Sequence, residues 1–67
     1  MTGTVKRFNP ERGYGFIVGE DNETYFVHQT RILMSGFRSL ENGQSVSFDP
    51  EITERGLQAF NVMTLEN

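Results

Sequence analysis

Short β-type runs broken by turn residues dominate this sequence, and their spacing constrains the fold more than any other feature. Thr2 to Asn9 is a mixed run closed by Asn9-Pro10, a turn-initiating pair. Arg12 to Val18 is aromatic and β-branched, and it ends at Gly19 and the polar stretch Glu20-Asp21-Asn22-Glu23. Thr24 to Gln29 is a third run, and with the second it predicts a hairpin. Thr30 to Leu40 keeps no clean period and reads as a long connection with one helical turn near Arg31 to Met34. Asn42-Gly43 is the strongest short-range turn signal. It leads into Ser45-Val46-Ser47-Phe48, a strict polar/apolar alternation closed by Asp49-Pro50. Arg55-Gly56 marks another turn, and Leu57 to Leu65 supplies the fifth strand. The pattern predicts an all-β chain closed into a five-stranded antiparallel barrel. Closure removes the edges that would otherwise invite strand addition. Val5, Ile17, Val27, Ile32, Leu40, Val46, Phe48 and Val62 are the expected interior.

At 67 residues, one domain over residues 1–67 is expected, and the leading Met1 suggests a small protein complete in itself. No apolar run approaches the roughly 20 residues a membrane helix needs, and no secretory leader pattern precedes the first strand. With no cysteine, neither a disulfide framework nor a thiolate metal site can form. A soluble cytoplasmic protein is the expectation. His28 is the sole histidine, which leaves little from which to build a metal centre or a histidine-based triad. The net charge of −3 argues mildly against a nucleic-acid partner. It is unevenly spread, however: residues 1–19 carry +2, from Lys6, Arg7 and Arg12 against Glu11, and residues 20–67 carry −5.

Alternation in strands two and three sorts their side chains into two faces. With Ile17 and Val27 inward, Tyr14, Phe16, Phe26 and His28 line up outside. A contiguous exposed ring patch calls for a partner, whereas scattered apolar residues do not. Gly13 and Gly15 flank Tyr14, and glycine within a strand marks a place where something approaches closely. Lys6, Arg7, Arg12 and Arg55 surround this patch. Rings beside cations suit single-stranded nucleic acid, since every base has a face to stack. Against this, strand aromatics are more often core than platform, a lone surface histidine usually serves a local hydrogen bond, and Lys6-Arg7 can simply guard a strand edge. On periodicity alone, a nucleic-acid binder and a protein-interaction module stand level.

The ordered blocks Gly3-Thr4-Val5-Lys6, Phe8-Asn9, Gly13-Tyr14-Gly15-Phe16-Ile17, Phe26-Val27-His28, Gly36-Phe37-Arg38, Gly43-Gln44-Ser45-Val46, Gln58-Ala59 and Asn61-Val62 resemble the cold-shock domain family over essentially the whole chain. Gly-Tyr-Gly-Phe-Ile looks like the first ribonucleoprotein motif and Phe-Val-His like the second. The resemblance implies an OB-type barrel that binds single-stranded RNA and DNA, with a pyrimidine preference. It further implies a cytoplasmic RNA chaperone that keeps transcripts unpaired and favours transcription and translation. Such a protein is expected to be a monomer and not an enzyme, with no cofactor, metal or membrane. Matched by position, Phe16, Phe26 and His28 form the stacking triad, Tyr14 and Phe37 extend it, and Phe8 contributes near its edge. Lys6, Arg12 and Arg55 stand at basic family positions.

Departures from the family pattern are specific. Arg7 stands where tryptophan is usual, and Gln29 where bacterial members carry phenylalanine, so that His-Gln-Thr is similar to the animal Y-box proteins. Leu57 replaces a common proline, Phe60 a usual alanine and Thr24 a usual aspartate. Arginine can still stack through its guanidinium plane, and Gln29 can offer hydrogen bonds to a base edge. The expected outcome is weaker binding than a typical member's, with steeper salt dependence. The alternative is a cold-shock-like barrel turned protein-interaction module. A nuclease is remote, because this surface has one histidine and no paired carboxylates. Parity with Val62 points Phe60 inward unless a bulge turns it out.

Overall fold

The computed structural model describes residues 1–33 and 39–65. Five strands, β1 (Thr2–Asn9), β2 (Tyr14–Gly19), β3 (Thr24–His28), β4 (Ser45–Thr53) and β5 (Gly56–Thr64), close into a barrel in the order β1-β2-β3-β5-β4. A single 3-10 turn, Gln29–Arg31, follows β3. The expected five-stranded barrel is therefore present, with one refinement. An odd ring cannot alternate direction at every seam, and here β3 and β5 run parallel, with Phe26 opposite Gln58. The other four seams are antiparallel.

All eight expected interior residues are buried, and Phe8, Tyr25 and Ala59 join them. The Tyr25 and Phe48 rings meet inside the barrel with centroids 5.0 Å apart. Each enclosed Val, Leu, Ile or Phe side chain contributes about 1.5–3 kcal/mol. Asn42-Gly43 forms the expected turn, with Gly43 at φ 84°. Strand four, in contrast, does not stop at Asp49-Pro50; it runs on to Thr53. Residues Asp49 to Thr53 pair with β5, whereas β1 pairs only with Ser45 to Ser47. Pro50 thus sits where no second strand asks it for an N–H. The helical turn also begins earlier than expected, at Gln29 rather than Arg31, and the remainder of the expected Arg31–Met34 turn falls partly outside the described residues.

Two bulges break strict alternation. In β1, Val5 faces Ile17 but Arg7 faces Phe16, so one extra residue enters at this point. Val5 and Phe8 both turn inward, while Lys6 and Arg7 are both exposed. The loop before β4 clasps this region: Val5 N–H donates to the Gln44 carbonyl and Gly43 N–H to the Val5 carbonyl. Phe8 N–H donates to Asn42 Oδ1 at 3.2 Å. In β5 the register shifts between Met63, opposite Ser47, and Phe60, opposite Asp49. Asn61, at φ 50°, sits in that shift, so Ala59 and Val62 are both buried.

The β2–β3 hairpin end is fastened by the Tyr25 hydroxyl, which donates to Asp21 Oδ2 at 2.6 Å. That bond, with help from the Glu23 N–H, holds the Asp21 carboxyl below its ordinary value. The same bond, with burial and the nearby Asp21 and Glu23 charges, pushes the Tyr25 phenol up to about 12. The signs differ. The carboxylate's contribution is full above the ordinary carboxylate pKa and fades as pH falls through the depressed value. The phenol's contribution is full below the ordinary value of 10.0 and fades as pH rises through about 12. Tyr25→Phe should therefore lower the urea midpoint near neutrality, and the gap to the parent should narrow in both windows. A constant gap across the whole pH range would show that this bond carries no proton linkage.

Candidate nucleic-acid interface

Strands β2 and β3 place Tyr14 opposite His28, Gly15 opposite Val27 and Phe16 opposite Phe26. Gly15, Ile17 and Val27 face inward, and the rings between them are left on the outer surface. Tyr14 and Phe26, diagonal neighbours across the ladder, stack with centroids 5.7 Å apart and planes at 30°. Phe16 meets Phe26 edge-on at 5.8 Å and 72°. Tyr14, Phe16 and Phe26 are half-buried and His28 is exposed. Pairs of this kind gain about 0.5–1.5 kcal/mol beyond simple burial, so the rings support one another while still presenting surface.

Lys6, Arg7 and Arg55 lie beside these rings. The β1 bulge that turns Lys6 and Arg7 outward sets Arg7 opposite Phe16. Lys6, Arg7, Phe16 and Thr24 enclose a depression of about 210 Å³. A second depression of similar size lies between Phe16, Phe26, Arg55 and Gln58. Arg55 is held at the β4–β5 turn, where the Thr53 hydroxyl accepts from Arg55 N–H at 3.2 Å and from Gln58 Nε2 at 3.1 Å. Arg12 lies in the β1–β2 turn; Asn9 Oδ1 accepts from Glu11 N–H at 3.0 Å and from Arg12 N–H at 3.3 Å. A larger depression of about 480 Å³, lined by Thr2, Gly3, Thr4, Val18, Gly19, Glu20, Asn22, Ser45 and Leu65, contains neither a ring nor a basic side chain.

His28 starts the 3-10 turn. Its Nδ1 lies 3.3 Å from the Thr30 N–H and 3.0 Å from the Thr30 hydroxyl. This fixes the imidazole by one edge, against a hydroxyl and an amide and not against a carboxylate. Gln29 is half-buried, and its side chain lies over Gly13, where an added Cβ would come within 2.7 Å of the amide carbon. Gly13 itself has φ 77°, and its backbone bonds to both Asn9 and Gln29.

Two expectations need correction. Phe8, expected near the platform's edge, is a core residue with 9% exposure, because the β1 bulge rotates it inward with Val5. Gly13 and Gly15 do admit a close neighbour, but the neighbour is protein. At Gly15 a Cβ would meet the Arg7 carbonyl and lie 2.7 Å from Phe8 Cα. Phe37 lies outside the described residues. Gln58 and Thr24, which the sequence reading did not place among the binding residues, line the two depressions. The parallel β3–β5 seam is what brings Gln58 beside Phe26, a pairing between residues distant in sequence that no local pattern reports.

The 'Cold-shock' DNA-binding domain family model matches residues 1–65. Cold shock protein 1 of Lactiplantibacillus plantarum is 56% identical over 61 residues, covering 91% of this chain and 92% of that protein. Cold shock protein CspC of Bacillus subtilis is 55% identical, covering 90% and 91% respectively. Among solved structures, drosophila Unr CSD456 superposes with a TM-score of 0.75 at 30% identity, over 97% of this chain and 26% of that longer one.

Since β1 and not a ligand crowds Gly15, Gly15→Ala should destabilise the protein by about 1–3 kcal/mol, measured by urea unfolding. Unchanged stability with weakened oligonucleotide binding would return Gly15 to the binding surface.

Proposed function

The chain belongs to the cold-shock domain family, a nucleic-acid-binding family, and on that premise we propose that it binds single-stranded RNA and DNA without catalysis. The observation that carries this reading is the outward cluster of Tyr14, Phe16, Phe26 and His28 with depressions lined by Lys6, Arg7 and Arg55 on either side of Phe16. Bases stack on the rings at roughly 1–3 kcal/mol each with little regard to identity, while the cations follow the phosphates. Pyrimidine-rich strands are the favoured class, and Phe37 is a further proposed contact.

The mechanism is mass action. A surface that takes unpaired bases binds the open form of a transcript and not the paired form, and it shifts that equilibrium by its differential affinity. No nucleotide hydrolysis is required. Acting in the cytoplasm as a one-domain monomer, the protein would keep RNA unpaired for transcription and translation, releasing it readily because each contact is modest. Arg7, turned outward by the bulge beside Phe16, replaces a ring with a charged plane. Stacking on it is weaker and its phosphate contact is salt-sensitive, so affinity is lower than that of a member with tryptophan there. Each phosphate neutralised on a single strand adds about −0.7 to the slope of log affinity against log salt.

Fluorescence anisotropy with end-labelled heptathymidine at two salt concentrations tests this, with circular dichroism confirming the fold of each variant. Phe16→Ala and Phe26→Ala should each weaken binding at least about five-fold. Arg7→Trp should tighten binding and flatten the salt slope. Tight binding that survives loss of both rings would remove the stacking account. Failure of the folded parent to bind at low salt would favour the protein-interaction reading.

A further inference from the structure

Phe60 and Arg31 form a pair that the stacking surface described above does not include. Continued alternation from Val62 would bury Phe60, but the extra residue at Asn61 reverses its parity. The bulge is held by Asn61 Nδ2, which donates to Asp49 Oδ2 at 2.8 Å. Ala59 and Val62 therefore fill the core, and Phe60 is left half-buried on the outer side. It shares that side with Gln58, which lines a depression with Phe16 and Phe26.

The parallel seam then fixes its neighbours. Phe26 lies opposite Gln58 and Ile32 opposite Val62, so Phe60 lies on β5 between these two points, toward the end of β3 that carries His28. The chain leaving β3 stays beside β5: Leu33 N–H donates to the Val62 carbonyl at 2.7 Å, and Ile32 bridges to Val62. Arg31, the last residue of the 3-10 turn, is carried over β5 as a result. Its guanidinium carbon stands 4.3 Å from the Phe60 ring centroid.

We infer that Arg31 and Phe60 together form a further nucleotide subsite beyond His28, in which a base stacks on the guanidinium supported by the ring. This rests on the single-strand reading above and extends it. The ring holds the long arginine side chain over one spot by a cation–π contact, so less freedom is lost when a base arrives. Guanidinium planes stack on bases and keep N–H donors free for phosphate. The line of stacking groups thus continues from Phe16 through Phe26 and His28 to a place where sequence parity predicted core.

The test uses heptathymidine and the intact chain. In protein carrying labelled phenylalanine, the Phe60 ring resonances should shift on saturation along with those of Phe16 and Phe26. Phe60→Ala and Arg31→Lys should each weaken binding about five-fold. The lysine variant keeps the charge and loses the plane, so its loss should persist at high salt. If Phe16 and Phe26 respond while Phe60 stays fixed and both variants bind like the parent, the subsite is overturned and the single-strand reading stands. If no ring responds and the folded parent does not bind, both are overturned.

Discussion

A closed ring of five strands cannot alternate direction at every seam, and the consequences of that parity reach every part of this protein. One pair of neighbours must run parallel, and here it is β3 and β5. The stretch between His28 and Ser45 joins β3 to β4, which are not neighbours in the ring, so the chain must pass β5's place before β4 is laid down. The parallel seam carries Gln58 to the side of Phe26 and lets the 3-10 turn lie against the end of β5. Ring closure also gives β4 a paired half and a half free on one side, and only the latter accommodates Pro50.

Filling so small an interior requires departures from strict alternation. Val5 and Phe8, three residues apart, both point inward, and so do Ala59 and Val62. An odd spacing between two inward residues demands a bulge, and each bulge leaves two consecutive side chains outside. In β1 those are Lys6 and Arg7, set against Phe16; in β5 they are Phe60 and Asn61. Core packing and surface chemistry are thus the same event seen from two sides. The protein can carry a net charge of −3 and still have a locally basic surface, because the bulge concentrates two cations next to a ring.

Much of this was legible in the residues. Alternation in Tyr14–Val18 and Thr24–His28 separated Ile17 and Val27 from Tyr14, Phe16, Phe26 and His28, and the two faces lie as read. What alternation could not show was its own interruption. Nothing in Val5-Lys6-Arg7-Phe8 marks the extra residue, so Phe8 was expected at the surface and lies in the core. Asn61 was a legible hint, since asparagine tolerates positive φ, and φ is 50° there. The Arg31–Phe60 contact joins residues far apart in the chain, and no local pattern reports it. The glycines were read correctly as places of close approach, but the approaching group is the chain's own backbone at Gly15.

The central claim is that single strands occupy the face built on Tyr14, Phe16, Phe26 and His28. Backbone amide NMR during titration with unlabelled heptathymidine tests it most directly, because every strand reports at once. Shifts should concentrate on Lys6 to Arg7, Tyr14 to Phe16, Phe26 to His28 and Arg55 to Phe60, with Thr2 to Thr4, Val18 to Asn22 and Leu65 nearly still. Shifts centred on that second group, at the depression that holds neither ring nor cation, would contradict the account.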